Sequence, residues 1–213
     1  MILSQPDLRK AVRSGEIRFD PPLEENQWGE ASVDLRLGHQ FTRFRKLESV
    51  TISIANGLEE LGDLGLWDSE VLDVNPATGK PQQCILEPGD FVLALTHEKI
   101  TIPNHLIGMI EGRSTYARVG LSMHETAPWI QPGWDHSPIT LEIRNNSQLK
   151  IALTPLIDRP CQLSFLRLTT ALPPSLAYGT RSTDRYQHQS HPLKHAKRKP
   201  VKAEPAKRQT KRR

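Results

Sequence analysis

Apolar and polar residues alternate in short bursts along most of this chain, and only its start carries the longer period of a helix. Leu8, Ala11 and Val12 share one face of a helix that Ser4 caps, Pro6 opens and Gly15 stops. After that the period shortens to two. Ser32-Val33-Asp34-Leu35-Arg36-Leu37-Gly38, Phe91 to Leu95 in part, and Ile139-Thr140-Leu141-Glu142-Ile143-Arg144 read as strands. Turn signals separate them at Glu87-Pro88-Gly89-Asp90, Ile102-Pro103-Asn104, Gln131-Pro132-Gly133, Asn145-Asn146-Ser147 and Thr154-Pro155. Many short strands with few helices predict a mainly β fold, a distorted β-barrel or jelly-roll, rather than a parallel βαβ sheet. Residues 49–82 are less regular and read as an insertion or long loop tucked down by Trp67 and Leu72. One stretch breaks the β pattern: Glu111 to Gly120, with Gly112 before it and Gly120 closing it, predicts about two turns of helix between strands. No internal repeat is evident.

Size and charge refine this picture. The 213 residues, 37% hydrophobic and 24% charged, suit one domain with a sizeable core. The charge divides sharply: residues 194–213 hold ten Lys or Arg and one Glu, whereas residues 1–193 hold 18 basic and 23 acidic side chains. With Pro200, Pro205 and only Val201 as a large aliphatic residue, 194–213 reads as a disordered basic tail behind a folded domain of residues 1–193. Such a tail suits non-specific nucleic-acid contact through counterion release, but lacks the interleaved aromatics that stack bases. Cys84 and Cys161 stand far apart with no C-x-x-C spacing, which argues against a disulfide scaffold and a cysteine-built zinc site. His136, His188, His191 and His195 form no metal-binding spacing, so no protein-held metal is expected. No apolar run is long enough to cross a membrane, and the opening residues lack a basic lead and an apolar signal core; a cytoplasmic protein is expected.

The interrupting helix and the last strand carry the candidate chemistry. Ser114 and Arg118 lie four apart, which puts a hydroxyl and a guanidinium on one side of the helix. Arg113 and Thr115 sit at its N-terminal end, where free N–H groups favour an anion. In the strand, Ile139, Leu141 and Ile143 point one way and Glu142 the other, so Glu142 is placed to line a cleft. Taken singly, Glu142 beside Arg144 reads as a solvated strand face, and Ser114 and Arg118 as surface helix residues. Taken together they supply an anion site, a water-holding pair and a general base, as hydrolysis of a phosphorylated substrate requires.

These segments resemble the dCTP deaminase family of the trimeric dUTPase-like superfamily. The resemblance rests on Gly112 to Arg118, His124-Glu125-Thr126-Ala127-Pro128-Trp129-Ile130, Pro132-Gly133-Trp134 and Thr140-Leu141-Glu142-Ile143. It extends to Ile2-Leu3-Ser4, Glu87 to Phe91 with Thr96, Pro160 to Phe165, Tyr178 to Ser182 and Arg185 to Gln189. It implies a dUTPase-like fold and zinc-independent hydrolytic deamination of dCTP to dUTP and ammonia, feeding dUMP and dTTP synthesis. It also implies a homotrimer with sites between subunits. By the same resemblance Glu142 is the proton shuttle, and Ser114 and Arg118 orient and polarise the attacking water. Arg113 and Thr115 belong to the nucleotide-binding turn, main chain at Ala127 reads the cytosine edge, and Gln131 meets the deoxyribose. Tyr178, Arg185 and Gln189 close over the nucleotide, and Mg2+ accompanies the triphosphate.

Three departures stand out. Gln131 replaces a common Asp, and an amide hydrogen-bonds a hydroxyl without serving as a base. The run Trp134 to Pro138 is about one residue long for the family, and Arg185 replaces a common Lys. Zinc-dependent cytidine deaminases need a P-C-x-x-C segment, which Pro160-Cys161-Gln162-Leu163 lacks. Two other functions stay open at this point: a bifunctional deaminase and dUTP pyrophosphatase or a dUTPase, and a non-catalytic nucleotide-sensing or nucleic-acid-tethered module.

Overall fold

Helix α1 (Gln5–Arg13) forms where the apolar period placed it, burying Leu8 and Ala11 and ending before Gly15, whose φ of 77° favours glycine. Ser4 holds the N-cap position, but its hydroxyl donates to the Asp7 carboxylate at 2.9 Å rather than capturing a helix N–H. The computed structural model describes residues 1–45, 51, 65–181 and 184–193; the expected basic tail, 194–213, lies outside them.

Among the described residues the strands are β1 (Arg18–Asp20), β2 (Val33–Leu35), β3 (Leu37–Phe44), β4 (Trp67–Val71), β5 (Cys84–Leu86), β6 (Phe91–Thr96) and β7 (Lys99–Thr101). They continue with β8 (Leu106–Gly112), β9 (Leu121–Ser122), β10 (Trp129–Ile130), β11 (Thr140–Asn145), β12 (Ile151–Leu153) and β13 (Cys161–Arg167). A four-stranded sheet runs β10-β8-β13-β2 and a five-stranded sheet β4-β3-β6-β11-β9, with two short pairs, β1-β7 and β5-β12. The fold is thus mainly β, a distorted sandwich and not a closed barrel. Val33, Leu35, Leu163 and Phe165 from one sheet meet Phe41, Val92, Leu141 and Ile143 from the other in a single core. Each such fully buried side chain contributes about 1.5–3 kcal/mol.

One buried charge ties the sheets to the loops that flank them. Glu98 is fully buried, and its carboxylate accepts the Arg36 N–H at 2.9 Å, the Arg36 Nε–H at 2.7 Å and the Gln27 amide at 2.9 Å. Arg36 joins β2 to β3, and Glu98 joins β6 to β7. Three donors and a cation offset the carboxylate's desolvation.

Two local expectations need correction. Part of 49–82 is a strand: β4 pairs along β3 from Gln40↔Val71 to Phe44↔Trp67, and Leu72 is buried while Trp67 is only partly covered. The remainder from 52 to 64 lies outside the described residues. The helix expected between Gly112 and Gly120 makes one turn, not two: α2 is Ser114–Ala117, and the chain reverses through Gly120 at φ 83°.

Candidate active site

Strand β11 divides its side chains as its pattern predicts, with Leu141 and Ile143 in the core and Glu142 and Thr140 on the other face. Its register fixes Glu142. On one side Glu142 pairs with Leu93 of β6, and on the other its N–H donates to the Met123 carbonyl at 3.0 Å. Two residues further, the Glu125 N–H donates to Glu142 Oε2 at 2.9 Å. A main-chain donor on one oxygen holds the carboxylate's orientation. The other oxygen has no hydrogen-bond partner among the described residues.

Glu142 lines a cleft of about 750 Å³, together with Ala127, Trp129, Gln131, Tyr178 and Gln189. The residues 127–131 run through β10, where Ala127, Trp129 and Gln131 are exposed along the cleft and Ile130, which also borders it, is buried. The next turn is tight. The Trp134 N–H donates to the Gln131 carbonyl at 3.1 Å, and Gly133 has φ 86°. A Cβ on Gly133 would stand 2.7 Å from the Ala177 Cβ and 3.1 Å from the Tyr178 nitrogen, so the closing segment rests directly on this glycine. Trp134 is buried, donating its indole N–H to the Ser137 carbonyl at 3.0 Å, and its ring lies 5.3 Å from that of Tyr178.

The long run before β11 is accommodated locally. His136 adopts a left-handed backbone, φ 39°, Thr101 Oγ1 donates to Asp135 Oδ1 at 3.3 Å, and the Ser137 carbonyl accepts the Ile100 N–H at 2.9 Å. The chain therefore enters β11 anchored to β7.

Residues 177–181 and 184–193 then border the cleft. The Tyr178 N–H donates to the Pro132 carbonyl at 2.8 Å, and the Tyr178 hydroxyl accepts the Tyr186 N–H at 3.0 Å. Burial pushes the Tyr178 phenol above its ordinary value. Gln189 is buried, and its amide donates to Thr140 Oγ1 at 2.9 Å and to the Pro138 carbonyl at 3.2 Å; Gln189 Oε1 is buried without a hydrogen-bond partner. Arg181 and Asp184, which the sequence reading did not single out, also line the cleft, and they pair at 3.0 Å. Burial works to raise the Asp184 carboxyl, but the N–H groups of Arg181 and Gly179 and the Arg181 guanidinium outweigh it and hold the group below the usual carboxylate range. Their spacing of three residues, opposite in charge, is the signal that was available. Arg185 is exposed and lies outside the cleft lining.

The other expected residues lie elsewhere in the same chain. Ser114 and Thr115 on α2, and Arg118 at its C-terminal end, are exposed and do not line the Glu142 cleft. Arg113 is drawn inward instead, with Nε 3.0 Å from Asp34 and an N–H donated to the Arg159 carbonyl at 3.0 Å. Desolvation raises the Asp34 carboxyl against the pull of Arg113 and Arg159. Tyr116 pins the turn from behind: its hydroxyl donates to Asp158 Oδ1 at 2.8 Å and accepts the Arg159 N–H at 3.2 Å. Burial, with the Asp158 bond, pushes that phenol up to about 12. α2 is thus a rigidly seated turn that presents Ser114, Thr115 and Arg118 outward.

A sequence model described as dCTP deaminase-like matches residues 2–168. The chain belongs to the dCTP deaminase-like family. Family relatives cover nearly all of it. It is 35% identical over 192 residues to the dUMP-forming dCTP deaminase of Methanosphaera stadtmanae, spanning 90% of this chain and 91% of that one. It is 37% identical over 193 residues to the dCTP deaminase of Haloarcula marismortui, spanning 90% and 92%. The crystal structure of 2'-deoxycytidine 5'-triphosphate deaminase from Agrobacterium tumefaciens has a similar fold, with TM-score 0.57 at 20% identity. That match covers 82% of this chain but spans only 50% of the other.

A second cleft, of about 530 Å³, shares Gln189 with the first and is lined by His39, His97, Lys99, His136 and His188. Among the described residues no three His, Cys, Asp or Glu side chains gather to hold a metal ion. Cys84 and Cys161 are both buried and unpaired, and burial pushes the Cys84 thiol up to about 11 and raises that of Cys161 further. No helix among the described residues is long and apolar enough to cross a membrane.

Proposed function

We propose that this protein hydrolyses dCTP to dUTP and ammonia without zinc, with Glu142 as the proton shuttle. The observation that carries this reading is the Glu142 carboxylate, set in the cleft with one oxygen fixed by the Glu125 N–H and the other unoccupied by protein. As water attacks C4 of the cytosine, Glu142 takes a proton from it and delivers that proton to N3. The proton left on the new hydroxyl then passes through Glu142 to the amino group, the C4–N4 bond breaks, and ammonia leaves. One carboxylate serves both halves because each transfer leaves it ready for the next.

The anionic tetrahedral stage and the triphosphate both call for cations, and within one chain Arg181 is already committed to Asp184. The exposed Arg118 supplies a cation from a second copy, and the exposed Ser114 and Thr115 supply hydroxyl donors beside it. The family resemblance makes the active form a homotrimer with sites between subunits, in which Ser114 and Arg118 polarise the water and Arg113 and Thr115 belong to the nucleotide-binding turn. Ala127 reads the cytosine edge through its main chain, and Gln131 hydrogen-bonds the deoxyribose. Tyr178 and Gln189 form the closing wall, and Arg185 meets a phosphate as that wall settles. Mg2+ suits the triphosphate's own oxygens, where it neutralises phosphate charge. The domain is 1–193, the tail is a solvated extension with non-specific affinity for nucleic acid, and the protein works in the cytoplasm.

A second reading has support in the relatives, several of which, including that of Methanosphaera stadtmanae, are named dUMP-forming. Against it stands Gln131, which cannot act as a base. Incubating the purified protein with dCTP and resolving dUTP, dUMP and pyrophosphate separates the two: accumulation of dUTP supports the simple deaminase, and dUMP with pyrophosphate overturns it. Deamination that persists after removal of 194–213 excludes a tethering module in which the tail is the functional element.

A further inference from the structure

Four aromatic rings line the cleft, those of Trp129, Trp134, Tyr178 and Tyr186, and Trp129 is the most exposed of them. Trp129 sits on β10 between Ala127 and Gln131, on the same face as both, and is 47% exposed. Tyr186 is 37% exposed but is not without a partner, and the other two rings are occupied. Trp134 is buried against Tyr178, with its indole N–H bound to Ser137, and the Tyr178 hydroxyl is bound to the Tyr186 main chain. Among the described residues the Trp129 indole has neither a ring partner nor a hydrogen bond. An exposed indole in a concave site that Ala127 and Glu142 also line is a stacking surface for a flat heterocycle.

We propose that Trp129 is the platform on which the pyrimidine ring stacks. The inference rests on the proposed nucleotide chemistry and adds a division of labour to it. An aromatic face carries no donor or acceptor code, so Trp129 contributes affinity for any pyrimidine nucleotide. Discrimination of cytosine is left to the polar groups beside it. Ring planarity, and not charge, is what this position recognises, and Trp129 acts as a binding residue with no part in proton transfer.

The test combines two readouts. In the first, dCTP, dUTP and inorganic tripolyphosphate are titrated against wild-type protein, Trp129→Phe and Trp129→Ala, followed by tryptophan fluorescence and by calorimetry. The expected result is quenching by dCTP and dUTP in the wild type, lost in both variants. Affinity for both nucleotides should fall about tenfold or more in Trp129→Ala, be largely kept in Trp129→Phe, and be unchanged for tripolyphosphate. In the second, steady-state rates of Trp129→Ala should show a raised KM with kcat nearly preserved. Equal nucleotide affinity in wild type and Trp129→Ala overturns the proposal while leaving the deaminase reading intact. A fall in tripolyphosphate affinity matching that for dCTP also overturns it, since the loss is then structural. So does a change in oligomeric mass of Trp129→Ala without a change in binding per assembled site, which makes Trp129 a subunit contact. A wild-type protein that binds no pyrimidine nucleotide ends both readings.

Discussion

The Glu125 N–H points at Glu142 Oε2 from 2.9 Å, so the carboxylate proposed to move protons is held by main chain rather than by another side chain. Glu142→Gln keeps the shape and an oxygen for the Glu125 donor but removes the base. Ammonia release should fall by about 10³-fold or more, while calorimetric affinity for dCTP changes little. A variant that retains near wild-type turnover refutes the assignment.

Arg118 is exposed at the C-terminal end of α2, away from the Glu142 cleft of its own chain. Arg118→Ala should raise KM and lower kcat together. Mixing it with Glu142→Gln under conditions that allow subunits to exchange should restore deamination, because some interfaces then pair an intact Glu142 with an intact Arg118. Recovery measured by ammonia release supports shared sites. A mixture as inactive as its parents contradicts them.

Gly133 sets the seat of the closing segment. Gly133→Ala forces a Cβ to within 2.7 Å of Ala177 at a φ of 86°, and the expected cost is about 1–3 kcal/mol, read as a lower midpoint in urea. Nucleotide affinity should weaken in the same variant, since Tyr178 is carried on the displaced segment.

Glu98 lies in the core with Arg36 as its cation. Arg36→Ala strands a buried carboxylate and should cost about 3–5 kcal/mol in equilibrium unfolding. Glu98→Gln, which keeps an acceptor for Arg36 and Gln27, should cost less.

Asp184 supplies a pH dependence. Its folded carboxyl is held below its ordinary value, so its contribution is fully present above the unfolded value of about 3.9 and is lost as pH falls through the folded one. The segment 177–193 should therefore loosen in acid before the β core does. Hydrogen exchange compared at neutral and acid pH tests this, and Asp184→Asn should show the loosened pattern already at neutral pH.

How far the sequence revealed this protein depended on whether burial was at stake. Thr140 to Arg144 alternates because Leu141 and Ile143 fill the core, so the direction of Glu142 was legible. β4 was not, because it is an edge strand on which Asp68, Ser69, Glu70 and Val71 are all exposed, so its pairing with β3 leaves no hydrophobic period. The helix between the glycines came out one turn too long, since Val119 adds an apolar residue to the pattern yet is 42% exposed and caps no core. Ser114 and Arg118 were identifiable as a pair. Their separation from Glu142 within one chain was not, because spacing along a sequence records neighbours on one element and not the distance between two.

The seating of α2 away from the cleft gives the proposed assembly a thermodynamic signature. A solitary chain would fold, bury its core and bind its own Arg113 to Asp34, yet hold only part of each of two different sites. Specific activity would then depend on dilution, falling as subunits part by mass action, and bound nucleotide, by bridging two chains, would hold the assembly together.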